Sequence, residues 1–182
     1  MDLKAPGQLG RQARVVLLAL LAIYGIAYMH DPGGGHLIDG IDLAIHETGH
    51  LVFRPFGEVL QFAGGTLFQL IVPATFLVYF LRFAPTRDRF AASAMLWWIA
   101  VNLWNIAVYM ADARTQSLPL VGGGEHDWAY LFGHFGVLSH DTGIAASVRA
   151  FGIVVFVAAM VWGYFSVARQ PAPGVDGEPE AE

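Results

Sequence analysis

Hydrophobic residues in this chain gather into four long runs rather than alternating or recurring at the spacing of an amphipathic surface helix. The runs cover about residues 13–29, 59–83, 90–112 and 142–168. A helix rises about 1.5 Å per residue, so about 20 apolar residues cross a hydrocarbon layer about 30 Å thick, and each run is of that order. The pattern predicts an all-α integral membrane protein with four transmembrane helices. The first run follows Lys4, Arg11 and Arg14, and no small-x-small cleavage site comes after it, so it reads as a retained anchor. Residues 1–169 are then expected to form a single membrane-embedded domain, and residues 170–182, rich in Pro, Gly and Glu, a disordered acidic tail.

One segment breaks the pattern. Between residues 37 and 53, Asp39, Asp42, His46, His50 and the adjoining Arg54 recur every three or four positions, which keeps them on one side of a helix. Ile38, Ile41, Ile45 and Val52 cover another side. The segment is too polar for a fifth span and is expected to lie at the interface or to re-enter the membrane, with its polar face turned toward protein. Gly33-Gly34-Gly35 before it and Pro55 after it punctuate its ends.

This helix carries His46-Glu47-Thr48-Gly49-His50, an HExxH motif. Residues four apart on a helix stand one above the other, so both imidazoles can reach one metal ion, and Glu47 beside them is placed to take a proton from water. The alternative is a pair of interfacial histidines capping a membrane helix. Asp42, one turn before His46, can orient that imidazole as an acceptor, or serve only as a solvated acid at the helix start.

Composition narrows the chemistry. With 55% hydrophobic and 14% charged residues and a mean hydropathy of +0.51, the chain lies outside the range of soluble domains. Cysteine is absent, which leaves histidine and carboxylate to hold any metal. The formal charge of −5 comes largely from Asp176, Glu178, Glu180 and Glu182, and no basic stripe suits a nucleic-acid partner. Lys4, Arg11, Arg14, Arg82, Arg87, Arg89 and Arg169 fall on one side of the predicted topology, against Arg54, Arg114 and Arg149 elsewhere. The bias puts both termini in the cytoplasm of a bacterial cytoplasmic membrane and all seven histidines on or near the outer side.

Two further elements supply candidate ligands. Asn102, Asn105, Tyr109 and Asp112 share a helical face that should look into the bundle, either as part of the site or as polar glue between helices. Gly122-Gly123-Gly124-Glu125-His126-Asp127-Trp128 offers His126 as a third metal ligand, with Asp127 either a ligand or the carboxylate supporting one. His134, His140 and Asp141 fit an interfacial role better.

The HExxH motif in a membrane helix, followed by Gly57 and Gly64-Gly65, resembles the intramembrane zinc metalloproteases related to site-two protease, over roughly residues 41–73. The resemblance implies zinc held by His46, His50 and an Asp on a later spanning helix, for which Asp112 is the positional counterpart, with Glu47 activating water. The chain departs from the family in its Ala111-Asp112-Ala113 context, where the family has Leu-Asp-Gly, and in lacking an Asn-Pro-x-Pro-like element. The His126-Asp127-Trp128 element also stands outside the family pattern, so His126 and Asp112 compete as third ligand. The expected function is a membrane-embedded zinc metallopeptidase hydrolysing peptide bonds in or near the membrane, with a membrane protein or peptide as substrate and lipid as its surroundings. The alternatives are a non-catalytic metal-binding membrane protein and a histidine-rich diiron membrane oxidase. The oxidase needs paired histidine boxes, and only one spacing-matched pair is present. A serine-type hydrolase is disfavoured because no Gly-x-Ser-x-Gly occurs.

Overall fold

The four apolar runs form helices, the structure in which a backbone satisfies its own polar groups within one segment, as a hydrocarbon surrounding requires. The computed structural model describes residues 10–83, 87–120 and 124–169. Lys4, Gly122, Gly123 and the acidic tail lie outside these residues. The helices are α1 (Arg11–His30), α2 (Asp39–Phe53), α3 (Glu58–Arg82), α4 (Arg89–Ala111), α5 (Asp127–His134) and α6 (Asp141–Ala168), with no strand among the described residues. Helices α1, α3 and α4 and the stretch Leu138–Ala168, which contains α6, are long and apolar enough to cross a membrane. They coincide with the four apolar runs. Helix α2 has 15 residues, about 22 Å of rise, which is short of a hydrocarbon layer.

The exterior carries many large apolar side chains, and polar residues are buried among the apolar ones inside. Ile23, Val154, Tyr164 and Leu51 are exposed, whereas Asp42, Asn102 and Gln69 are buried. Helix α4 runs through the centre, packed by α6, α3 and α1. Tyr28, Trp97, Val101, Trp104 and Phe156 form one core between α1, α4 and α6. Ile106, Met110, Ala113, Phe132 and Ala145 form a second around α5. Two indoles of α4 find acceptors: Trp97 Nε1 donates to the Leu21 carbonyl at 2.9 Å and Trp98 Nε1 to Asp42 Oδ1 at 2.8 Å.

The start of α1, the end of α3, the start of α4 and the end of α6 share one end of the bundle, where Arg14 Nη2 meets Asp88 Oδ2 at 2.8 Å. Arg11, Arg14, Arg82, Arg87, Arg89 and Arg169 belong to that end. At the other end, Arg114 is held by Asp141 at 2.8 Å and Arg149 Nη2 donates to the Met29 carbonyl at 2.8 Å.

Helices α2 and α3 form a tight antiparallel pair. Gly57, with φ of 98°, makes the reversal between them in a backbone region that residues with a Cβ rarely adopt. Close packing follows from Gly49, Gly64 and Gly65. A Cβ at Gly64 would lie 2.7 Å from the Gly49 carbonyl oxygen, and one at Gly65 would strike the His46 ring. The glycines thus bring the motif helix onto a spanning helix at backbone distance.

Candidate metal centre

Helix α2 turns Asp42, His46 and Gly49 inward, and His50, one turn beyond His46, lies half-buried. The two imidazoles stand 4.8 Å apart between ring centroids. Each is fixed through Nδ1. His46 Nδ1 donates to Gln69 Oε1 at 2.8 Å, and His50 Nδ1 donates to the Gln61 carbonyl at 2.7 Å. Both partners are acceptors, which puts the ring proton on Nδ1 and leaves each Nε2 lone pair pointing away.

Both Nε2 atoms lie close to the same carboxylate oxygen. His46 Nε2 lies 3.0 Å and His50 Nε2 3.3 Å from Asp127 Oδ2. Two neutral rings aimed at a carboxylate would set lone pair against lone pair, so the arrangement is stable only with a proton or a metal cation among the three atoms. The pKa directions agree. The hydrogen bond with Asp127 holds His50 above its ordinary range, against the lowering effect of its burial. Burial pushes the Asp127 carboxyl up, but its hydrogen bonds with His46 and His50 outweigh this and hold it below the usual range. His46, His50 and Asp127 are a group of donors that can hold one metal ion, and their outer partners, Gln69 and the Gln61 carbonyl, are the orienting acceptors such ligands need.

Gln69 owes its position to Pro73. A proline four residues on has no N–H to give to the Gln69 carbonyl, and Asn102 Nδ2 supplies the missing donor at 2.7 Å. The Gln69 side chain is braced in turn by its own Nε2, which donates to Asn105 Oδ1 at 3.3 Å. Asn105 therefore acts on His46 through Gln69. Tyr109 lies beside the group: its hydroxyl accepts from the Asp127 backbone N–H at 3.2 Å, and its ring makes an edge contact with His46. Helix α5, which supplies Asp127, is pinned to α3 by Tyr130 stacked on Phe62 at 4.0 Å.

The group opens on a cavity of about 600 Å³, lined by His46, Glu47, His50, Asn105, Tyr109 and Asp127 among others. Its volume falls in the range of sites for small molecules and peptide segments, about 300–1,000 Å³. Asn105 and Gly65 stand about 9 to 10 Å along their helices from the ends of α4 and α3 nearest the group.

Three sequence candidates lie elsewhere. His126 caps α5, its Nδ1 accepting from the Ala129 N–H at 3.3 Å, and its ring lies on Tyr109 at 4.2 Å. Its Nε2 is 3.5 Å from Asp112 Oδ2 and belongs to no metal-holding group among the described residues. Asp112 is taken up by the turn after α4, accepting from Thr115, Ser117 and Leu118. Of the three acids and histidines the sequence offered beside the motif, it is Asp127, read there as either ligand or support, that lies with His46 and His50 in a group able to hold a metal ion. Asp42 does not orient His46, whose Nδ1 belongs to Gln69. It accepts from Trp98 instead, and burial pushes its carboxyl up to about 6 against the lowering effect of that bond. Gln69 and the Gln61 carbonyl were not singled out in the sequence. The signal for Gln69 was an amide four residues before Pro73 in an apolar run. No family model, curated protein or solved structure matches the chain.

Proposed function

We propose that the protein is a membrane-embedded zinc metallopeptidase that hydrolyses peptide bonds in or near the membrane, with His46, His50 and Asp127 as ligands and Glu47 as general base. The convergence of two ring nitrogens, each held through its other nitrogen, on one oxygen of a buried carboxylate carries this reading. A zinc ion held there would supply the Lewis acidity that makes water a nucleophile near neutral pH. Glu47, half-buried on the cavity wall, takes a proton from that water and returns it to the leaving amine. The Tyr109 hydroxyl faces the same cavity as a donor toward the substrate carbonyl. Gln69 and the Gln61 carbonyl keep the rings in register throughout.

The arginine-rich end fits the cytoplasmic face of a bacterial inner membrane, with both termini inside and the site in the outer half. Helix α2, apolar outside and polar inside, then lies at the interface or re-enters, and the substrate is a membrane protein or a peptide reaching the cavity from that side. In this reading the chain shares the motif helix with the site-two protease group and takes its carboxylate from α5 rather than from a spanning helix.

Two histidines and one carboxylate also suit mononuclear iron(II), and a metal-binding protein without catalysis would keep the ligands and dispense with Glu47. A diiron oxidase is disfavoured, because the described residues hold a single group of this kind. The test is Glu47→Gln in purified full-length protein. Zinc should stay at one ion per chain while cleavage of a membrane-inserted peptide falls about 10²- to 10⁴-fold. Loss of zinc in this variant, or iron in its place in the wild type, sinks the hydrolase.

A further inference from the structure

At the opposite end of the bundle, the start of α1, the start of α4 and the end of α6 border a second cavity of about 200 Å³. It stands about 30 Å along α4 from the histidine group, so it is no part of that site. Four arginines are among the residues that line it, Arg14, Arg87, Arg89 and Arg169, against a single acid, Asp88. That carboxylate is already engaged. Its Oδ2 accepts from Arg14 at 2.8 Å, and its Oδ1 accepts the Phe90 and Ala91 N–H groups at 3.0 Å as the N-cap of α4. Among the described residues no acid forms an ion pair with Arg87, Arg89 or Arg169.

One engaged carboxylate leaves the local charge positive, which favours a further anion, and a guanidinium matches phosphate oxygens in a two-pronged geometry. The arrangement is anchored: Arg14 is 4% exposed with its guanidinium 5.4 Å from the Phe90 ring centre, and Arg169 lies 6.0 Å over Phe165. Trp162 completes the wall, an aromatic at the end of a spanning helix, where side chains meet lipid headgroups. The volume is below that of drug-sized sites and suits one headgroup. We infer that this cavity binds a phosphate group, presented by an anionic phospholipid headgroup or by inorganic phosphate.

The experiment uses the full-length chain in nanodiscs of phosphatidylcholine, alone or with added phosphatidylglycerol. Retained lipid is counted by native mass spectrometry, and unfolding is followed by thermal shift. Phosphatidylglycerol should be retained and should raise the unfolding temperature. Arg89→Gln and Arg169→Gln should each weaken retention about fivefold. Both side chains are exposed, so these variants should fold. Arg82→Gln, at the same end but outside the cavity wall, should behave as wild type. Inorganic phosphate added to phosphatidylcholine discs separates the sources: a stabilisation lost in the double variant assigns the site to free phosphate, and none assigns it to lipid. Equal retention by wild type and the double variant, or equal loss in Arg82→Gln, overturns the site in favour of diffuse surface charge.

Discussion

Two histidine–aspartate pairings lie side by side at one end of the bundle, both touching the ring of Tyr109, and they have opposite characters. Asp112 is surrounded by donors from its own turn, and His126 approaches it only to 3.5 Å while capping α5. Asp127 turns one oxygen to two ring nitrogens whose own protons are engaged elsewhere, at the wall of a cavity. The pairs are alike in residue type and differ in what remains unspent. A carboxylate saturated by backbone and hydroxyl donors holds a loop. One facing two ring nitrogens, each held through its other nitrogen, has capacity left for a cation, whether a proton or a metal ion.

The largest contrast should appear in metal content. His46→Ala, His50→Ala and Asp127→Ala should each abolish stoichiometric zinc, because each removes one of the three proposed ligands, while His126→Ala should keep it. Elemental analysis of the purified variants decides this. Zinc retained without Asp127 but lost without His126 or Asp112 would return the third ligand to those residues. Gly65→Ala should come next. Its new methyl group meets the His46 ring, at a cost of about 1–3 kcal/mol, and should displace the ligand. Zinc titration should show weakened binding here, and unchanged affinity would mean that α2 and α3 separate easily.

Gln69→Ala should weaken zinc binding about 10- to 100-fold by freeing the His46 ring, an effect with no counterpart at the His126 pair. The smallest effect concerns Asp112. Burial raises its carboxyl, but donors from Thr115, Leu118 and Ser117 outweigh this and hold it well below its ordinary value of 3.8. A carboxylate lowered in the folded state contributes stability fully above that ordinary value and loses it as pH falls through the folded one. Asp112→Asn should therefore cost about 2 kcal/mol at neutral pH, leave zinc in place, and matter progressively less as the pH drops below the ordinary value. Thermal unfolding across pH checks this. A constant penalty at all pH values would show that shape rather than charge makes Asp112 matter.

Four helices long and apolar enough to cross a membrane were legible in the sequence, because the length of an apolar run is a local property. The sequence also determined the motif helix and the pairing of His46 with His50, since a four-residue spacing fixes a shared face wherever the helix lies. Which residue joins the two histidines, by contrast, became visible once the helices were packed. His126 and Asp127 are neighbours at the start of α5, and one residue turns a helical side chain by about 100°, so one faces Asp112 and the other the motif histidines. Which faces which depends on how α5 docks, through Tyr130 on Phe62 and Phe132 in the core beside Ile106, contacts among residues distant in the chain. The partners of His46 and Asp42 were hidden for the same reason. Gln69 and Trp98 lie on other helices, and no spacing within α2 encodes the face that α3 or α4 presents to it.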